Sequence, residues 1–160
     1  MTPTLMSALH TTENTYLSPE AREQWQSFAE SVPRGMVYLK NLENQEMAIV
    51  SDTTAYIMQR FPKVKARIEG HEKTLRDLQL ILRYCGQAAL RQDPQFLEDQ
   101  LLQWLRTMLV AYKFGQDVLK DSYEKLIEDA RTHLNPETYT WLEPYLKQVL
   151  DIVPQGENQA

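Results

Sequence analysis

Cys85, His10, His71 and His133 are the side chains in this 160-residue sequence best suited to ligate a metal or attack an electrophile. Their spacing supports neither use. A single cysteine makes no intramolecular disulfide and no multi-cysteine metal site. No His-x-x-x-His or carboxylate–histidine repeat occurs, and no cysteine–histidine pairing is evident. Glu98-Asp99 and Glu128-Asp129 are adjacent pairs, which diverge on a helix and read as solvated charges. There is no glycine-rich phosphate loop and no Gly-x-Ser-x-Gly elbow. The expectation is no metal site, no catalytic residues and no enzyme.

The segment with the densest pattern is Lys73 to Asp93, KTLRDLQLILRYCGQAALRQD. At 100° per residue, Leu75, Leu78, Leu82, Cys85 and Ala89 fall in one narrow apolar stripe that must face a core. Thr74 and Asp77, three apart, are neighbours along one edge of that stripe. Arg76 and Arg83, seven apart, share the opposite flank. Pattern alone describes a buried helix with a charged, solvated back, and makes Cys85 an inert buried thiol.

The elements that position this segment are helical. Pro3, Pro19, Pro94 and Pro136 each follow a residue able to cap, namely Thr2, Ser18, Asp93 and Asn135. Proline at the first helical position wastes no hydrogen bond, because that amide has no intrahelical acceptor. No segment alternates like a half-buried strand. The pattern predicts a short helix through Leu5, Met6 and Leu9, and a second from Ser18 interrupted at Pro33 and Gly35. Helices over about Met36–Arg60, with a weak point near Asn44, and over about Pro62–Arg91 follow. Another starts at Pro94, and Gly115 breaks the chain before a helix carrying Val118, Leu119, Tyr123, Leu126 and Ile127. The last begins at Pro136 and is kinked or restarted at Pro144. Residues 1–153 read as a single domain with 1–32 as a helical extension, and 154–160 as a polar tail.

Composition sets the outer bounds. Apolar residues are 42% and charged residues 24%, with a formal net charge of −5, so the chain is neither disordered in type nor a nucleic-acid binder. The N-terminus lacks the basic and apolar regions of a secretory signal, and no run approaches eighteen apolar residues. A cytoplasmic protein without a membrane span is expected.

Taken together, order and spacing resemble the phycobiliprotein family of phycobilisome proteins. The family's chromophore helix carries Cys-x-Arg-Asp, then four residues, then Leu-Arg-Tyr, then a Gly-Asp turn. The matching positions here are Thr74, Arg76, Asp77, Leu82, Arg83 and Tyr84, with Gln92-Asp93 at the turn. FLEDQLLQWLRTMLVAYKFG resembles the next helix, and TYLSPEAREQWQSFAE and EMAIVSDTTAYIMQRFP resemble the preceding ones. The resemblance covers about residues 1 to 130 and implies an all-α, globin-like domain with an extra N-terminal helical pair.

It also implies a departure. The family's open-chain tetrapyrrole is held by a thioether to the motif cysteine, and Thr74 stands there. A hydroxyl is far less nucleophilic than a thiolate near neutral pH. Cys85 is eleven residues on, about 16 Å along the axis, and cannot stand in. No covalent cofactor is expected. What the resemblance leaves open is a non-covalent bilin or other tetrapyrrole, gripped by Thr74, Arg76, Asp77, Arg83 and Tyr84 through charge-assisted bonds. The stretch from Phe61 to Thr74 is shorter than in pigmented members, which leaves the openness of the pocket undetermined. Haem by the globin route lacks its axial histidine, since Pro94 to Lys113 contains none.

In the family the N-terminal helices pack on a related subunit. Leu5, Met6, Leu9, Tyr16, Leu17, Trp25 and Phe28 supply a comparable apolar surface here, so the expected partners are a related phycobiliprotein-like subunit or an antenna or photosystem protein, with a homodimer as an alternative. The first functional expectation is a non-catalytic protein of antenna or photosystem assembly, maintenance or regulation, located in the cytoplasm or at the cytoplasmic face of the thylakoid. The alternative is a non-covalent binder of a bilin or chlorophyll-type tetrapyrrole. A lyase acting on bilins ranks last.

Overall fold

Ser18 caps the first helix among the described residues, as its position predicts: its hydroxyl accepts a hydrogen bond from the Ala21 amide at 3.2 Å, with Pro19 at the first helical position. The computed structural model describes residues 16–67 and 69–155. The short helix expected through Leu5, Met6 and Leu9, together with His10 and the last five residues of the tail, lies outside the described residues. α1 spans Pro19–Arg60, α2 Pro62–Lys65, α3 Gly70–Arg91 and α4 Pro94–Leu97. A π-helical turn, Glu98–Leu102, leads into α5, Gln103–Ala111; α6 (Gln116–His133) and α7 (Pro136–Ile152) follow. Among the described residues there is no strand, as expected of an all-α chain. Asp93 and Asn135 also cap as predicted, accepting from Phe96 N and Thr138 N at 3.0 and 2.8 Å.

Two expected breaks are absent. α1 runs unbroken for 42 residues through Pro33, Gly35 and Asn44. Pro33 deprives the Ala29 carbonyl of its donor, but both residues are exposed and water can replace the missing bond. Gly35 is not a breaker at all: a Cβ there would lie 2.8 Å from Leu90 Cδ1, so glycine lets α3 come close. Gly86 does the same from the other side, where a Cβ would meet Leu42 Cδ2 at 2.9 Å and Leu39 Cδ1 at 3.0 Å. α7 is not restarted at the exposed Pro144 but continues through it. Conversely, Pro62 to Arg91 is not one helix. It divides after Lys65, and Glu69 takes a left-handed φ of 56° immediately before α3.

α1 is the spine against which α2, α3, α6 and α7 lie. Its middle runs antiparallel to α3, with Gly35 near Leu90 and Glu46 bonded to Arg83 and Gln79. Its C-terminal turns run antiparallel to α6, with Thr53 bonded to Asp129 and Tyr56 to Asp121. Tyr38 packs on Trp141 of α7, ring centroids 5.6 Å apart. Between these helices sit Ile49, Val50, Ile81, Leu82, Cys85, Leu126, Leu142 and Leu146, all essentially without solvent contact. The apolar stripe of α3 faces this core as its periodicity requires.

One charge is not where adjacency placed it. Asp129 is buried, 6% exposed, rather than solvated. Its Oδ2 accepts from the Thr53 hydroxyl at 2.8 Å and its Oδ1 pairs with Lys125 Nζ at 3.0 Å. Spacing could show that Asp129 diverges from Glu128. It could not show that the direction taken leads to a hydroxyl on α1, 76 residues away.

Two helices end in left-handed residues that are not glycine. Gln92 (φ 53°) and Lys113 (φ 55°) follow α3 and α5, and the next amides, Asp93 N and Phe114 N, reach back to Ala88 O and Leu109 O at 2.9 and 3.1 Å. That is the bonding of a Schellman turn, in which glycine is favoured. Lys113→Gly should therefore raise stability by roughly 0.5–1 kcal/mol in urea unfolding. Asp129→Ala should lower it by about 2–4 kcal/mol, because the buried Thr53 hydroxyl loses its acceptor and Lys125 its best partner. A loss below 0.5 kcal/mol would show the Thr53–Asp129–Lys125 link to be dispensable.

Candidate functional site

The start of α3, the length of α5 and the first turns of α6 enclose a cleft of about 580 Å³. Its size lies within the range usual for small-molecule sites, roughly 300–1,000 Å³. Ile57, Leu78, Ile81, Leu105, Leu119 and Tyr123 are buried and form its depth, while Trp104 and Tyr112, each more than half exposed, stand at its mouth. The lining is mostly apolar. Arg67, Lys73, Thr74, Arg76, Asp77 and Ser122 are its polar members.

Three of the five expected ligand-binding residues, Thr74, Arg76 and Asp77, come together on its wall. The Arg76 guanidinium donates to Asp77 Oδ1 from Nε and Nη2 at 3.2 and 3.0 Å. Both side chains are substantially solvated, and such a pair is weak enough to re-form on another partner. Thr74 donates its hydroxyl to the Gly70 carbonyl one turn back, at 2.7 Å. No described residue acts on that hydroxyl as a base, so its chemistry is that of a hydrogen-bonding group.

Arg83 and Tyr84 lie outside the cleft. Arg83 turns to α1, where its guanidinium forks onto the Glu46 carboxylate at 2.9 and 2.7 Å; that hydrogen-bonded charge holds it protonated still more firmly than usual. Tyr84 stacks on Phe96, centroids 6.0 Å apart, and Arg91 covers the other ring partner at 4.1 Å from the Phe96 centroid. One heptad keeps Arg83 on the flank of Arg76, but two helical turns carry it beyond the cleft and onto a neighbouring helix.

Several cleft residues carried no signal in the sequence. Arg67 donates to the Tyr112 carbonyl at 3.0 Å and lies 4.1 Å from the Phe114 ring centroid, tying the loop before α3 to the turn after α5. Its partners are 45 and more residues away, so no local pattern announces them. Tyr123 reads in the sequence as one more apolar member of α6; here its ring lines the cleft at 5% exposure. Burial, with the Asp77 carboxylate as a second cause, pushes its phenol well above the ordinary range, so it remains a proton donor.

The remaining histidines and the cysteine stand apart from the cleft among the described residues. His71 is exposed in the first turn of α3, His133 contacts Asp52 at 2.8 Å, and no histidine lines the cleft. No group of three His, Cys, Asp or Glu residues could hold a metal ion. Cys85 is sealed in the core and does not reach the cleft, and burial pushes its thiol far up.

At the N-terminal end, α1 buries no residue before Gly35. Tyr16 is 98% exposed and Leu17 half-buried. Trp25 and Phe28 meet edge to face, centroids 6.3 Å apart, both half-buried. The Trp25 indole nitrogen is shielded from water and has no hydrogen-bond partner among the described residues.

A family model described as "Phycobilisome protein" matches residues 10–153 of the chain. No curated protein matches it.

Cys85 makes the burial testable. A thiol reagent should label nothing in the native protein and one group per chain after unfolding. The unfolded chain ionises this thiol at its ordinary value while the folded chain does not, so the folded state binds more protons and stability falls as pH rises past that value. The slope approaches about 1.4 kcal/mol per pH unit for one such group. Urea midpoints between pH 8 and 10 should fall more steeply for the natural chain than for Cys85→Ala.

Proposed function

The chain belongs to the phycobilisome protein family, and from that premise we propose that it is a non-catalytic, phycobiliprotein-like protein that serves antenna or photosystem assembly, maintenance or regulation through protein contacts. Family membership carries the all-α, globin-like fold and the general phycobiliprotein-like role. The more specific reading is supported by the N-terminal part of α1. The first four turns of α1 contribute no residue to the buried core among the described residues, and they carry the half-buried Trp25 and Phe28, with the half-buried Leu17 and the exposed Tyr16 preceding the helix. The fitting partner is a related subunit or another antenna or photosystem protein, and a second copy of the chain is the alternative. Among the described residues no helix is long and apolar enough to cross a membrane. The proposed place of action is the cytoplasm or the cytoplasmic face of the thylakoid.

A second reading has its own support in the open cleft. Thr74, Arg76 and Asp77 line an apolar space of small-molecule size, which fits a bilin or other tetrapyrrole held without a covalent bond. Asp77 would accept from pyrrole N–H groups and Arg76 would pair with a propionate, both as charge-assisted bonds. The chain has one cysteine and it lies in the core, so a thioether plays no part in this reading.

The readings separate in one preparation. Protein isolated from its native host, or from cells making bilins, should be recorded for its visible spectrum and for its size with and without antenna extract. Partner capture predicts a size shift that Trp25→Ser with Phe28→Ser removes while the unfolding midpoint moves little, because neither residue belongs to the core. An unchanged shift in that double variant would sink the N-terminal surface as the interface. Bound pigment predicts colour that Asp77→Ala removes while leaving the size shift intact.

A further inference from the structure

The cleft is lined by a hydrogen-bond donor that no described residue engages. Val118, Leu119, Ser122 and Tyr123 put one face of α6 into the cleft. The Ser122 hydroxyl is already committed to the Val118 carbonyl at 2.6 Å. The Tyr123 ring is almost wholly buried, yet no hydrogen bond from a described residue engages its hydroxyl, and it is not among the polar atoms sealed from solvent. A buried phenol ordinarily finds a partner, since leaving it unmatched forfeits the bond it had with water. Tyr123 is one of the residues that line the cleft.

Resting on the reading of the cleft as a small-molecule site, we propose that Tyr123 is a specificity-determining residue there, donating a hydrogen bond to a neutral oxygen of the ligand such as a lactam or ketone carbonyl. The two cleft groups that face the ligand then differ in kind. Asp77, on α3, only accepts; Tyr123, on α6, stays protonated and donates. An acceptor on one wall and a donor on another suit a molecule with an N–H and a carbonyl oxygen on one conjugated, largely apolar body. The basic residues at the cleft, Arg67, Lys73 and Arg76, suit any carboxylate that body carries. The surrounding Leu78, Ile81, Leu105 and Leu119 side chains exclude competing water, which strengthens a bond made there. A ligand lacking the carbonyl would leave the phenol unmatched and bind less well.

Biliverdin, which carries lactam carbonyls, N–H groups and carboxylates, is the probe. Its absorption change on titration into the natural protein, Tyr123→Phe and Asp77→Asn gives three dissociation constants, and thermal unfolding of each protein reports the fold. The expected result is about tenfold weaker binding by Tyr123→Phe, the worth of one net hydrogen bond, with an unfolding midpoint close to the natural one. Resonance Raman should also show the lactam carbonyl stretch at higher frequency in that variant, where the donor is gone. Equal affinity and an unshifted stretch in Tyr123→Phe, alongside weaker binding by Asp77→Asn, would overturn the role of Tyr123 and leave the cleft reading standing. No binding by the natural protein would overturn both. Should Tyr123→Phe unfold, Tyr123→Met gives the affinity comparison, and the carbonyl frequency of the natural complex against free biliverdin still decides whether a donor is present.

Discussion

The close antiparallel approach of α1 and α3 is the constraint on which the remaining geometry depends. Two glycines, one from each helix, remove the side chains that would hold the helices apart, and Leu39, Leu42 and Leu90 fill the space they leave. The Glu46–Arg83 fork then sets how the helices are aligned along their length. Its partners differ in exposure, the carboxylate being buried and the guanidinium largely solvated. Its contribution is alignment more than energy, since a charge taken from water regains little beyond what it lost. With α3 fixed on the spine, Thr74, Arg76 and Asp77 are presented away from α1 and toward α5 and α6. The cleft is thus a consequence of which face of α3 the seam consumes.

Local signals in the sequence translated well into local structure. Ser18, Asp93 and Asn135 cap because capping needs only a side-chain oxygen three residues before an amide, a relation written within one turn. The α3 stripe faces the core because a period of 3.6 leaves it no other choice. Where the reading failed, the deciding contact was distant. Pro33 and Gly35 look like punctuation, yet their tolerance depends on solvent at Ala29 and on Leu90 far along the chain. Asp129 looks solvated until Thr53 is placed opposite it. Arg83 looks like a partner of Arg76 until Glu46 takes it.

The candidate site was legible to the same extent. Thr74 and Asp77 fall on one edge of a stripe whose direction is known, so their common location could be anticipated. Arg67, Trp104, Tyr112 and Tyr123 could not, because they come from three other parts of the chain and meet α3 only through the tertiary fold. Tyr123 shows the difficulty most clearly. On a helical wheel it is an apolar residue among leucines, and its polar end acquires meaning only when the space beside it is found to be a cleft rather than packed core.

Thr74 in place of a thiol changes more than the strength of attachment. A thioether makes occupancy a matter of history: once joined, a pigment stays through every later change in its supply. A cleft lined only by reversible contacts fills according to the free concentration of its guest, and half-fills when that concentration equals the dissociation constant. Such a guest would add to folding stability by RT ln(1 + [L]/Kd), about 2.7 kcal/mol at a hundredfold excess over Kd. Under the proposed non-covalent reading, the resistance of the chain to unfolding would rise and fall with the abundance of its guest, a gauge that a permanent tether cannot provide.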